Sequence, residues 1–268
     1  MHIRLSAAAA ALLISLGTAS AAPTLWAVDA TATGPGVSNP AVAEQFGFDG
    51  TLLRQVTLGA GFNPNGIAII GHTAYVSSST DGVIRTFNTE TGLLGGTINT
   101  GLSALGPLGM DGRGLWAADW TGSNKAYRFN LNGSLDRQIT LGLCSSFCNG
   151  FDVSGSAIIS NRGQNVGPYD IYLADGTVLA PGYLSVGDNG AAAYYNGEVL
   201  AAISGGNGAY TDVVGIPVPF GGTPIDTGFG NQRFINDLAV DLAVVPEPGT
   251  MALLLTGLGL IAIRRRPA

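Results

Sequence analysis

Basic residues and histidine are scarce in this chain. Of its 268 residues only 12 are Lys or Arg, and Lys125 is the single lysine. Four of the 12, Arg4, Arg264, Arg265 and Arg266, stand near the two ends. Between Asp29 and Glu247 lie all 18 acidic residues and the remaining eight basic ones, so this stretch carries a net charge near −10. A nucleic-acid partner needs a basic face to neutralise phosphates, so that class of function is excluded. The balance suits an exported soluble protein, or one that recruits divalent cations. Histidine occurs at His2 and His72 only. His72 sits in a Gly-His-Thr turn, and without it no Ser-His-Asp set can be assembled. A His-rich metal triad is likewise absent.

Cysteine is nearly absent too. Cys144 and Cys148 stand four apart in the segment CSSFC. With no second Cys pair and no histidine cluster, a metal site has no support. No basic neighbour is placed to depress a thiol pKa for redox work. In an oxidising compartment the pair is expected to form a local disulfide, closing a small loop with modest stabilisation. The glycines sit in hairpin turns and do not lead into helices, so a phosphate loop or dinucleotide fingerprint is missing as well.

The two ends carry addresses. Met1–Ala21 has one Arg (Arg4), an apolar region from Ala7 to Leu16, and small residues Ala19-Ser20-Ala21. That layout predicts a secretory signal peptide over residues 1–21. From Val245 the chain reads VPEPGTMALLLTGLGLIAIRRRPA. Thr250 to Ile263 is an uncharged, Leu-rich run, shorter than the roughly 20 residues of a full membrane span. Pro248 and Gly249 set its start, because proline breaks a helix behind it. Arg264, Arg265 and Arg266 follow directly, and such residues stay on the cytoplasmic side. An ordinary tail anchor or a buried helix is the alternative.

Pro246, Glu247 and Pro248, then the apolar run, then the Arg cluster, closely resemble the PEP-CTERM sorting signal of Gram-negative bacteria that make exopolysaccharide. The resemblance implies an exosortase-type membrane protease as partner, one that recognises the Pro-Glu-Pro motif. It also implies transient anchoring in the inner membrane by the C-terminal transmembrane helix, then delivery to the cell surface or exterior. It covers residues 245–268 and leaves a body of residues 22–245 ahead of a sorting signal of residues 246–268.

The body repeats itself. FGFDGTLLRQVTLG (Phe46–Gly59) matches RFNLNGSLDRQITLG (Arg128–Gly142), and LWAVD (Leu25–Asp29) matches LWAAD (Leu115–Asp119). Short alternating runs separated by Gly-His-Thr, Thr-Asp-Gly and Glu-Thr-Gly turns read as strands and hairpins. Unit starts align at Asn65-Gly66, Leu108-Gly109, Asn149-Gly150, Asn189-Gly190 and Asn236-Asp237, with spacings of 43, 41, 40 and 47 residues. A period of about 40–45 residues with four short strands is that of a propeller blade. An all-β, five-bladed β-propeller is therefore expected. Its last strand, Ile235–Val240, would complete the blade begun at Leu25 and so remove free sheet edges. Six blades with one degenerate repeat, or an irregular β-sandwich, are the alternatives. The runs Pro64-Asn65-Gly66-Ile67 and Pro107-Leu108-Gly109-Met110 resemble the blade starts of NHL and YVTN-type propellers, a weak repeat-level likeness over roughly residues 24–245.

Propeller geometry gathers the loops before first strands and the loops between second and third strands on one face. The first set carries Asn65, Asn149, Asn189 and Asn236. The second carries Ser78–Asp81, Asp119–Asn124, Asn161–Asn165 and Ser204–Asn207. Asp29 and Asp119 occupy matching strand ends, and Trp120 follows Asp119. These amides and carboxylates could hydrogen-bond sugar hydroxyls or supply oxygens to calcium, and Trp120 could stack on a pyranose ring. Equally, Asn and Asp bond their own turns, and Trp120 could pack between blades. The Asp-Gly pairs at Asp49, Asp81, Asp111 and Asp175 read as turns, and none continues into a calcium loop. No cofactor is expected, and calcium lacks a full motif. The leading reading is a non-catalytic propeller that binds a partner, an exopolysaccharide or a surface protein. A carbohydrate-active enzyme needs two carboxylates, which Asp29, Asp119, Asp152 and Asp188 could supply. A purely structural matrix protein is the third reading.

Overall fold

Short apolar-polar alternations punctuated by glycine turns leave this chain little choice but antiparallel hairpins. The computed structural model describes residues 22–29, 41–164, 166–185, 189–204, 210–217, 225–229 and 235–242. Both addresses, residues 1–21 and 246–268, lie outside them, as does Asp188.

All regular structure among the described residues is β. In chain order, β1 (Thr24–Asp29), β2 (Ala41–Phe46) and β3 (Leu52–Gly59) are followed by β4 (Pro64–Ile70), β5 (Thr73–Ser78), β6 (Val83–Asn88) and β7 (Leu94–Asn99). Next come β8 (Leu105–Met110), β9 (Leu115–Asp119), β10 (Lys125–Phe129) and β11 (Leu135–Thr140). Then follow β12 (Asp152–Ser154), β13 (Ala157–Ser160), β14 (Tyr169–Leu173) and β15 (Val178–Leu184). The last are β16 (Asn189–Tyr195), β17 (Glu198–Ser204), β18 (Tyr210–Pro217), β19 (Ile225–Phe229) and β20 (Ile235–Asp241).

These strands make five four-stranded antiparallel sheets in a propeller-like arrangement. Four are simple meanders: β4 to β7, β8 to β11, β12 to β15 and β16 to β19. The other has the order β20-β1-β2-β3, so it joins the two ends of the body. Leu25 stands opposite Val240, and Ala27 opposite Leu238. Trp26, fully buried, donates its indole N–H to the Asp241 carboxylate at 3.3 Å.

The core lies between sheets. Trp26, Val28, Val56 and Leu58 pack against Ile67, Val76 and Phe87 of the following sheet. Ala68 and Ile84 pack against Leu108, Leu115 and Phe129. Trp116 and Ala126 meet Phe151, Ile158 and Tyr172. Ile159 and Tyr169 meet Ala192 and Val199. The fifth cluster sets Ala193 and Leu200 against Leu25, Phe46 and Leu238, which returns the order to its start. Each fully buried Leu, Ile or Phe here contributes roughly 1.5–3 kcal/mol of transfer free energy.

Candidate functional site

The first strands of the sheets carry the polar positions. β4, β8, β12, β16 and β20 are neighbours in that cyclic order. A strand at the inner edge of its sheet has backbone groups that no further strand satisfies, and burial makes leaving them unpaired costly. Side chains from neighbouring sheets fill that role.

Asp237 on β20 is the clearest case. It is fully buried. One carboxylate oxygen, Oδ2, accepts the Ile67 N–H of β4 at 2.8 Å and the Leu108 N–H of β8 at 3.0 Å. The other, Oδ1, is buried without a hydrogen-bond partner. Burial pushes the Asp237 pKa well above the usual carboxylate range, and the nearby Asp152 charge pushes the same way. Asp152 on β12 accepts the Tyr194 N–H of β16 at 2.6 Å. The residue is half-buried overall, but burial around its carboxyl raises the pKa to about 7.

The asparagines act similarly. Asn65 is buried and donates its amide to the Leu105 carbonyl of the next sheet at 3.3 Å. Asn236 donates to the Pro64 carbonyl at 3.0 Å, again one sheet on. Asn149 is buried and accepts an N–H from the Asn161 side chain. Its neighbour Gly150 donates to the Gly190 carbonyl at 3.0 Å, linking that loop to β16. Asn189 opens β16, and Asp29 closes β1.

Register places Asn65 and Asn236 at equivalent positions: Gly66 faces Ser77 as Asp237 faces Val28. Leu108 faces Ala117 as Ile67 faces Val76, so the unit that contains Leu108 is offset by two residues from the sequence alignment, which set Leu108 against Asn65. Both first strands carry the same irregularity, between Pro64 and Gly66 and between Leu105 and Leu108, so Pro64 and Leu105 are equivalent as well.

Asp119 ends β9, and its carboxylate caps the following loop. Oδ2 accepts the Thr121 N–H at 2.9 Å, the Thr121 hydroxyl at 2.6 Å and the Ser123 N–H at 3.0 Å. Burial alone would raise its pKa, but those hydrogen bonds outweigh it and hold the group below the usual range. A carboxylate kept ionised this way is poorly suited to donate a proton. Trp120 is half-buried and meets the Phe147 ring edge-on, with centroids 5.3 Å apart. Phe147 lies in the loop closed by the Cys144–Cys148 disulfide. No group of three or more His, Cys, Asp or Glu side chains fit to hold a metal occurs among the described residues. His72 pairs with Glu90 at 3.3 Å on the exposed surface.

The structure thus brings Asn65 and Asn236 together with Asp237 and the starts of β4 and β8. Asp119 and Trp120 belong to a separate loop cluster. Asp237 is the functional-looking group that repeat reading passed over. Its signal was available: it stands where the aligned units at Gly66, Gly150 and Gly190 carry glycine.

Residues 244–266 match the PEP-CTERM protein-sorting motif. That motif implies export, a membrane-anchored C-terminus before processing, and processing by exosortase, a membrane protease. No curated protein matches the chain. Among solved structures, a chain of the nidogen/laminin complex is similar at 12% identity and a TM-score of 0.51, covering 83% of this chain and 99% of that one. The glutaminyl cyclase of Myxococcus xanthus aligns at 15% identity and a TM-score of 0.48, over 77% and 79% of the two chains. The computationally designed Ika8 protein aligns at 14% identity and a TM-score of 0.43, over 72% and 60%. At these identities the likeness concerns fold alone.

Proposed function

We propose that this chain is a surface or matrix protein whose five sheets are the blades of one closed β-propeller, and that it works by binding without catalysis. A signal peptide over residues 1–21 would export it. The C-terminal segment would hold it at the inner membrane until exosortase acts at Pro246-Glu247-Pro248, with Arg264, Arg265 and Arg266 as the cytoplasmic stop. The observation that carries this reading is the sorting motif at residues 244–266, which begins three residues after β20 ends.

The non-catalytic part is supported by where the polar groups are spent. Asn65, Asn236 and Asp237 bond neighbouring sheets, and Asp119 bonds its own loop. The sorting signal's link with exopolysaccharide producers makes an extracellular polysaccharide the natural partner to offer first, with and without calcium.

The test is expression of the full chain in an exosortase-bearing Gram-negative host. Wild type is expected to lose its tail and reach the exterior, while Glu247→Ala stays full-length in the membrane fraction. Release of Glu247→Ala in processed form would overturn the sorting reading. Incubating the released protein with the host's exopolysaccharide then separates the rest. Co-sedimentation with intact polymer supports binding, and shortening of the polymer turns the assignment to a carbohydrate-active enzyme.

A further inference from the structure

A soluble domain rarely leaves leucines standing at one repeated position, yet four outermost strands here do so. Each begins on an exposed apolar residue that faces an aromatic or other core residue of the third strand. Leu52 faces Phe46, Leu94 faces Phe87, Leu135 faces Phe129 and Val178 faces Tyr172. The four are 47%, 55%, 51% and 36% exposed. Flanking residues widen the patches: Leu53 is 54% exposed and Leu93 is 70% exposed. Isolated exposed leucines need no explanation, but here the same register position is apolar in four separate sheets.

Register also says which end of each sheet they occupy. Across the sheet containing β20, Asp241 faces Thr24, Leu25 faces Phe46, and Phe46 faces Leu52. The leucines therefore stand at the end where the first strand finishes. The other sheets repeat this: Ile69 faces Ala74, Ala74 faces Phe87, and Phe87 faces Leu94. First strands start side by side, since Asn236 reaches Pro64 and Asn65 reaches Leu105. Their finishing ends consequently share one face of the body, and the apolar residues rim it.

That is the face from which the chain leaves β20 for its sorting segment. Eight residues, 242–249, separate Asp241 from Thr250, where the apolar run begins. Fully extended they reach about 30 Å. With the apolar run in a bilayer, as the proposed function has it, a tether that short keeps this end of β20 within reach of the lipid.

We infer that the rim formed by Leu52, Leu53, Leu93, Leu94, Leu135 and Val178 is a membrane-docking surface that rests on the outer leaflet while the tail is still attached. The inference rests on the anchoring step of the proposed function. Leucines inserted at the interface gain by burying apolar area among the acyl chains. The hairpin turns beside them carry Asp49, Glu90 and Asp175, which repel anionic headgroups. The surface therefore fits zwitterionic lipid. After processing the tether is gone, and the weak contact alone lets the body leave.

The test uses the full chain reconstituted into phosphatidylcholine vesicles, with or without brominated acyl chains that quench tryptophan at short range. Leu53→Trp and Leu93→Trp place probes on two different sheets of the rim, at exposed positions where the core is untouched. Thr80→Trp places one on the opposite face, where Trp120 also lies. Brominated lipid is expected to cut the added emission of both rim variants about twofold or more while sparing Thr80→Trp. Flotation of the chain with vesicles but equal quenching at all three positions overturns the docking surface and leaves the anchoring reading intact. Failure to float overturns the anchoring reading, and the docking surface with it.

Discussion

Asp152 and Asp237 are carboxyl groups that folding makes harder to ionise. Above pH 3.8 the unfolded chain releases these protons, whereas the folded chain keeps the Asp152 proton up to about pH 7. The unfolded state thus binds fewer protons across that window, and stability falls as pH rises through it. For Asp152 the loss is roughly 2–4 kcal/mol. Below pH 3.8 other carboxylates act in the opposite sense. Burial opposes ionisation of Asp111, but hydrogen bonds from Arg128, Arg113 and Trp116 hold it down to about 2. Thermal unfolding followed by circular dichroism should show the midpoint of the wild type falling between about pH 4 and 7. Asp152→Asn cannot ionise and should make that slope shallower, leaving the part that Asp237 contributes. An unchanged slope would remove Asp152 from the account. The sequence marked Asp152 only as one acidic residue among several, because its titration depends on the packing of β8 and β16 around it.

At the scale of the element, the hairpins were legible and their mutual approach was not. Gly66 shows why. A Cβ placed there would lie 2.5 Å from the Leu108 nitrogen, 2.6 Å from the Gly106 oxygen and 2.7 Å from the Pro107 carbonyl carbon. All three belong to the backbone of the next sheet, so no side chain can swing aside. Gly66→Ala should therefore destabilise by roughly 1–3 kcal/mol, read as a lower urea midpoint with unchanged m-value. A neutral result would mean that β4 and β8 can move apart freely. The disulfide loop is simpler: Cys144 and Cys148 are both buried, and closing so short a loop contributes about 2 kcal/mol. The pairing was expected from two cysteines in a chain bound for an oxidising compartment, whereas the contact of Phe147 with Trp120 required the loop to reach across to its neighbour.

At the scale of the whole molecule, β20 ties the end of the body to its beginning. It pairs with β1 along its length, supplies Asp237 to β4 and β8, and supplies Asp241 to Trp26. Ending the chain after residue 234 would leave β1 as an open edge and strip the Ile67 and Leu108 N–H groups of their acceptor. Such a truncation should lose cooperative thermal unfolding and aggregate, whereas a chain ending after residue 242 should unfold as cooperatively as the full body. Equal unfolding midpoints for the two would show that β20 is dispensable.

By itself the sequence determined the all-β class, the repeat of about 40–45 residues, the positions of the turns and the sorting segment. These rest on local patterns: side-chain alternation, turn glycines, and a motif read in order along the chain. Only the tertiary structure decided which polar residues are spent on the fold. Ile67 and Asp237 meet across 170 residues of chain, and nothing local to either announces the other. The same holds for the leucine rim. Each exposed leucine looks ordinary in its own hairpin, and the set gains meaning only when antiparallel register and the shared direction of the first strands bring its members to one face.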